Sequence, residues 1–148
     1  MTAASSKLGG AEVPTRDIEA LCEALTVDLQ TDWRLAWDRA GKFGLLGAIM
    51  PQDYGGAAKD ASSLVQTLLS FGENCADNGF TMGLNSHIWT VQHPLAVFGS
   101  DAQKARYLPN LTAGRAIGAF ALTEETSGSD ALTMSTTAEA RDGGYVLN

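Results

Sequence analysis

The apolar pattern changes its period part-way along the chain, and that change limits the fold more than any single residue does. Up to about residue 115, apolar residues recur at helical spacing; from Ala116 they form one short run and then alternate with small polar residues. The expected fold is mainly α: a helical bundle domain over residues 15–115, then the opening strands of an incomplete β domain over 116–148. Residues 1–14 are expected to be a flexible N-terminus. Two or three strands with no partner sheet cannot bury both faces, and the last strand is still running at Asn148. The pattern therefore predicts a truncated β domain.

Within the helical part, Pro14 and Thr15 precede Asp17 and Glu19, an acidic first turn, and Ile18, Leu21, Cys22, Leu25 and Leu29 form one stripe. Trp33, Trp37 and Ala40 share a second face leading to Phe43 and Leu45, with glycines at 41, 44 and 47 to end it. Pro51 to Gly56 has turn chemistry. Asp60 can cap a third helix bearing Leu64, Val65, Leu68 and Leu69. Phe80 to Phe98 carries Leu84, Ile88 and Val91 at helical spacing, with an interruption expected at His93-Pro94. Ser100 or Asp101 starts a last helix that Pro109 should close. Ala116 to Thr123 reads as a buried strand, and Asp142-Gly143 as a hairpin turn before Tyr145, Val146 and Leu147.

Several functions are disfavoured at once. The formal charge is −7 and no Lys/Arg run is present, which argues against nucleic-acid binding. The longest apolar stretch, Phe43 to Met50, is broken by glycines and too short to span a bilayer. Met1 to Gly10 lacks the marks of a signal or transit peptide, so a cytoplasmic protein is expected. Cys22 and Cys75 have no CxxC or histidine neighbours and read as buried thiols, with no metal site. Trp33, Trp37 and Trp89 read as packing residues, and His87 as a helix-packing histidine.

The chemistry is concentrated in Phe120 to Asp130. A strand would deliver Thr123 to its end, and the following loop sets Gly128 and Ser129 where backbone can approach an anion. Backbone N–H groups and hydroxyls without bulky neighbours suit a pyrophosphate, although many Ser/Thr/Gly loops share that composition. Adjacent Glu124 and Glu125 point different ways on a loop and read as solvated rather than as an acid/base pair.

Four ordered blocks carry a resemblance over most of the chain. They are Phe43–Gly47 with Met50-Pro51-Gln52-Asp53-Tyr54-Gly55-Gly56; Phe98 to Lys104 with Tyr107-Leu108-Pro109, Leu111 and Gly114; Ala121–Glu124 with Gly128-Ser129-Asp130; and Asp142 to Asn148. In these blocks the sequence resembles the acyl-CoA dehydrogenase family. The resemblance implies FAD as cofactor, with Phe120, Leu122 and Thr123 bordering the flavin ring and Thr123 near its hydride-accepting N5. Gly128 and Ser129 would contact the pyrophosphate, and Ser129 would also lie where the acyl thioester begins to bind. It further implies α,β-dehydrogenation of an acyl-CoA or carrier-bound acyl thioester, an electron-transfer acceptor, and a homo-oligomer. His87 would sit on the helix lining the acyl region. The family's catalytic glutamate belongs to a C-terminal bundle, so no catalytic residue is assigned within residues 1–148. Glu125 stands where the family usually has proline, and Thr126-Ser127 replaces a smaller pair. Other readings are a truncated, non-catalytic helical binding module, or half of a split dehydrogenase completed by another chain.

Overall fold

A computed structural model describes residues 15–148 together with Lys7–Leu8 and Ala11–Glu12, with side chains from Asp17 onward. β1 (Lys7–Leu8) pairs antiparallel with β2 (Ala11–Glu12); the rest of the expected flexible N-terminus, 1–14, lies outside the described residues. Six helices follow: α1 Thr15–Thr31, α2 Trp33–Phe43, α3 Ala61–Asn74, α4 Asn78–Ser86, α5 His93–Phe98 and α6 Asp101–Thr112. A π-helical stretch, His87–Gln92, joins α4 to α5. The chain ends in a hairpin of β3 (Ala138–Arg141) and β4 (Gly144–Leu147).

The stripe read from α1 is the core stripe. Ile18, Leu21, Cys22 and Leu25 are buried against Leu64 and Phe71 of α3, Leu84 of α4 and Ile88 beyond it. A two-point ion pair locks α1 to α2: Arg39 Nε lies 2.6 Å from Asp28 Oδ2, and Nη2 lies 3.3 Å from Oδ1. That guanidinium holds the Asp28 carboxyl below the usual carboxylate range. Side-chain caps start three helices as their sequences demand. Asp32 accepts from Arg34 N, Asp60 from Ser63 N and Asp77 from Phe80 N. Ser100 and Gln103 form a reciprocal capping box on α6. Both cysteines are free and buried; burial pushes the Cys22 thiol up to about 11.

Three expectations need correction. His93-Pro94 does not interrupt the helix. Pro94 has no N–H, and its ring would crowd the carbonyl four residues back in an α-helix. The backbone instead widens ahead of it, and His93 N–H reaches five residues back to Ile88 O. Pro109 does not close α6, which runs on to Thr112 because Leu108 and Leu111 bury against the bundle. The third helix forms with its Asp60 cap as expected, and of its four apolar residues Leu64 and Leu68 are buried while Val65 and Leu69 face outward. Ala116 to Thr123 forms no strand and is mostly exposed. A strand needs a neighbour to take its backbone hydrogen bonds, and this segment has none among the described residues.

The hairpin turn is as read. Asp142 and Gly143 both take positive φ, 21° and 81°, and the register pairs Ala138 with Leu147 through to Arg141 with Gly144. Every residue of both strands is exposed.

The two sides of α3 give a direct test. Leu64→Ala should destabilise the chain by about 2–5 kcal/mol, as truncating a fully buried leucine does, whereas Leu69→Ala should change stability by less than about 0.5 kcal/mol. Chemical denaturation of both variants measures the difference.

Candidate functional site: a cleft along α4 and the loop beyond it

A cleft of ≈ 610 Å³ opens between the bundle and the extended segment that follows α6. One wall is α4 and the π stretch, which present Gly79, Gly83, Ser86 and Thr90. These recur at intervals of four, three and four, so they share one face and keep it low. The floor is aromatic and aliphatic, with Leu29, Trp33, Trp37 and Phe80, and the far wall is Ile117 to Phe120. Asp77 also reaches the cleft, but its Oδ1 caps α4. The walls suit an apolar group. Trp33, read as packing, is 52% exposed and borders the cleft, whereas Trp37 is buried at 4%. The difference follows from position, since Trp33 opens α2 at the rim while Trp37 sits one turn deeper.

Trp37 organises this region. Its ring meets Phe80 edge-on at 5.9 Å and His87 edge-on at 5.0 Å. His87 is 1% exposed, and both of its ring nitrogens are engaged. Gly118 N–H donates to Nδ1 at 3.2 Å, and Nε2 lies 3.2 Å from Leu111 O. A carbonyl only accepts, so the proton is on Nε2 and the ring is neutral. Burial lowers its pKa below the usual 6.5, against the two backbone bonds. His87 is thus a packing residue, as read, and in addition a bridge between α6 and the extended segment.

The residues assigned from the sequence divide into two groups. Phe120 lies on the cleft wall and is 59% exposed. Leu122 is half-buried and Thr123 exposed, just past the cleft lining. Gly128 and Ser129 belong to the turn over 124–130; Gly128 has open space around it and Ser129 is exposed. Neither Thr123 nor Ser129 has a hydrogen-bond partner among the described residues.

Glu124 departs from expectation. It is not a freely solvated glutamate: its carboxylate accepts from Ser135 N at 2.7 Å, Ser135 Oγ at 2.9 Å and Thr136 N at 3.0 Å. These bonds pull its pKa down to about 2. Its own backbone closes the turn, Glu124 N–H onto Ser127 O at 2.8 Å. Ser127 is buried and donates from Oγ to Asp130 O at 2.7 Å. The sequence signal was present, a glutamate at the foot of a Ser/Gly loop, but its partners lie eleven and twelve residues on and leave no local pattern. Glu125 is exposed.

This arrangement fits an anionic cofactor such as FAD along one edge. The Glu124 carboxylate, though ionised, has its oxygens engaged by Ser135 and Thr136, while the hydroxyls of Thr123 and Ser129 and the space over Gly128 are free. Among the described residues no His/Cys/Asp/Glu group could hold a metal ion, and no helix is long and apolar enough to cross a membrane.

Comparison with known proteins decides the family. Residues 12–115 match the acyl-CoA dehydrogenase N-terminal domain. The chain belongs to the acyl-CoA dehydrogenase family. It is 40% identical over 110 residues to an acyl-CoA dehydrogenase of Bacillus subtilis, covering 74% of this chain and 28% of that one. It is 32% identical over 135 residues to an L-prolyl-[peptidyl-carrier protein] dehydrogenase of Serratia, covering 86% of this chain and 34% of the relative. The fold superposes on an acyl-CoA dehydrogenase from Bacillus anthracis complexed with FAD, with a TM-score of 0.77 and 34% identity, over 90% of this chain and 25% of that chain. This family chain therefore spans about a quarter to a third of the length of these relatives.

Two pH effects follow. Native His87 stays neutral below 6.5 while the unfolded side chain takes up a proton, so its contribution to stability is complete above about pH 6.5 and is lost as pH falls towards the native pKa. Between pH 7 and 5.5 the wild-type chain should lose more stability than His87→Gln, as thermal denaturation at each pH will measure. For Glu124, the stability that its ionised carboxylate contributes is complete above about pH 4.5 and is lost as pH falls through about 2. The protection of the Ser135 and Thr136 amides, relative to their intrinsic exchange at each pH, should fall over that interval, and Glu124→Gln should lower it at neutral pH.

Proposed function

We propose that this chain is the N-terminal part of an FAD-dependent dehydrogenase that introduces an α,β double bond into an acyl thioester. The observation that carries the reading is the juxtaposition of an apolar cleft with an extended segment ending in an anion-compatible turn. Residues 15–115 form the helical domain and supply most of the cleft; residues 116–148 begin the β domain that faces the cofactor.

In this reading the cleft takes the acyl group. Its apolar floor excludes water, and the small residues of α4 leave room for the chain. Phe120, Leu122 and Thr123 border the flavin ring, and Gly128 and Ser129 hold the pyrophosphate by backbone and hydroxyl donors. Ser129 also meets the start of the acyl thioester. Glu124 ties the turn to Ser135 and Thr136 through its carboxylate. FAD, when bound, supplies the hydride acceptor, and an electron-transfer acceptor reoxidises it. Removal of the α proton needs a base; among the described residues the one carboxylate bordering the cleft, Asp77, has one oxygen committed to a helix cap. The base is therefore assigned to the rest of a complete enzyme, which would be a homo-oligomer as in the family, or to a second chain.

The acyl carrier has two readings. Coenzyme A is favoured by the Bacillus relatives, and a carrier protein by the Serratia relative, whose alignment extends over 135 residues. Dye-coupled turnover by the complete polypeptide, offered acyl-CoA esters of several lengths and matched carrier-loaded acyl and prolyl groups, separates them. No flavin uptake and no turnover with either set would defeat the proposal. In the flavin-loaded protein, Ser129→Ala should weaken FAD binding by about 0.5–1.5 kcal/mol, the net value of one hydrogen bond. Titration of the apoprotein followed by flavin fluorescence measures it.

A further inference from the structure

From Ile117 to Thr123 the backbone makes one hydrogen bond among the described residues, Gly118 N–H to His87 Nδ1. The neighbouring anchors are Ala116 N–H on Asn110 O and, at the far end, Glu124 N–H on Ser127 O. An extended chain rises about 3.3 Å per residue, so the six steps from Gly118 to Glu124 could span up to roughly 20 Å between anchors. Phe120 and Thr123 both lie on that span.

The anchor at Gly118 is tight in three directions. The imidazole cannot slide, because its other nitrogen is held by Leu111 O and its ring packs at right angles against Trp37. The segment cannot press closer, because Gly118 already touches the helix. A Cβ at this position would fall 2.4 Å from Val91 Cγ1, one turn beyond His87. Only one arrangement of ring protons satisfies both backbone partners, since Gly118 offers a donor and Leu111 an acceptor.

We propose that His87 is a positioning residue for the cofactor edge of the site: by holding Gly118 against the π stretch it fixes where Phe120 and Thr123 stand. The inference rests on the flavoprotein reading above. His87 touches neither flavin nor acyl group in this role; it acts through the backbone. The widening of the helix next to Pro94 contributes directly, because the bridging histidine opens the π stretch and Val91 lies within it.

The test uses the complete flavin-loaded polypeptide. Long-range imidazole ¹⁵N spectra of the wild type at pH 7 should show His87 protonated on Nε2 and bare on Nδ1. The opposite tautomer, or a doubly protonated ring, overturns the proposal without any variant. His87→Phe keeps the ring and removes both bonds. It should raise the Kd for FAD about 3- to 10-fold, the scale of a lost hydrogen bond. It should also shift the flavin absorption bands and speed amide exchange from Gly118 to Thr123 while α1 to α3 keep their protection. His87→Asn, with an amide oxygen able to accept from Gly118, should recover part of the affinity. Faster exchange at Gly118 with unchanged FAD affinity and spectrum would overturn the positioning role. If the phenylalanine variant does not fold, the tautomer and the asparagine variant decide. A wild-type protein with the expected tautomer that takes up no FAD would instead defeat the flavoprotein reading, and the positioning role with it.

Discussion

The edge-on packing of Trp37 against Phe80 and His87 is the contact on which the functional half of the molecule depends. On its inner side the indole belongs to the same apolar cluster as Leu25, Phe71 and Leu84. On its outer side it forms part of the cleft floor and backs the histidine that holds the extended segment. A change in how α1, α2 and α3 pack would therefore reach the segment bearing Thr123 through two ring contacts and one hydrogen bond. The Asp28–Arg39 pair reinforces this by fixing α2, which carries Trp37, to α1. Such pairs add little stability when solvated, and this one matters more for the angle it sets than for its energy.

Most of the helical architecture was legible in the sequence because its determinants are local. Asp60 caps α3, Asp142-Gly143 turns the hairpin, and the α1 stripe enters the core; each is decided by residues within a turn or two of one another. The errors arose where distant partners decide. Pro94 looks like a break until the helix is seen to widen ahead of it, and Pro109 looks like a stop until Leu111 is seen buried beyond it. Ala116 to Thr123 has the composition of a strand, but composition cannot provide the neighbour that a strand requires. The site behaved likewise. The cleft itself was not read from the sequence, since its walls come from α1, α2, α4 and the segment after α6. The Glu124 clamp was missed for the same reason, its partners being Ser135 and Thr136.

Within the acyl-CoA dehydrogenase family the chain matches the N-terminal domain. The departure at Glu125 sets two acids side by side on the loop. Glu125 is exposed, and the neighbouring Glu124 satisfies its carboxylate with three donors. The loop carries both acids because one is open to solvent and the other, though ionised, has its lone pairs taken up by backbone and hydroxyl donors.

The two thiols have a practical consequence. Cys22 is buried in α1 with a thiol pushed up to about 11, and Cys75 is buried at the end of α3. Burial shields both from a reagent while the helices stay packed, and the raised Cys22 thiol yields little of the reactive thiolate besides. Opening of the α1–α3 interface would expose both at once, whereas loosening of the hairpin or the extended segment would expose neither. The rate at which this protein reacts with a thiol reagent is accordingly a built-in clock for unfolding of its helical core, blind to motion at the cleft.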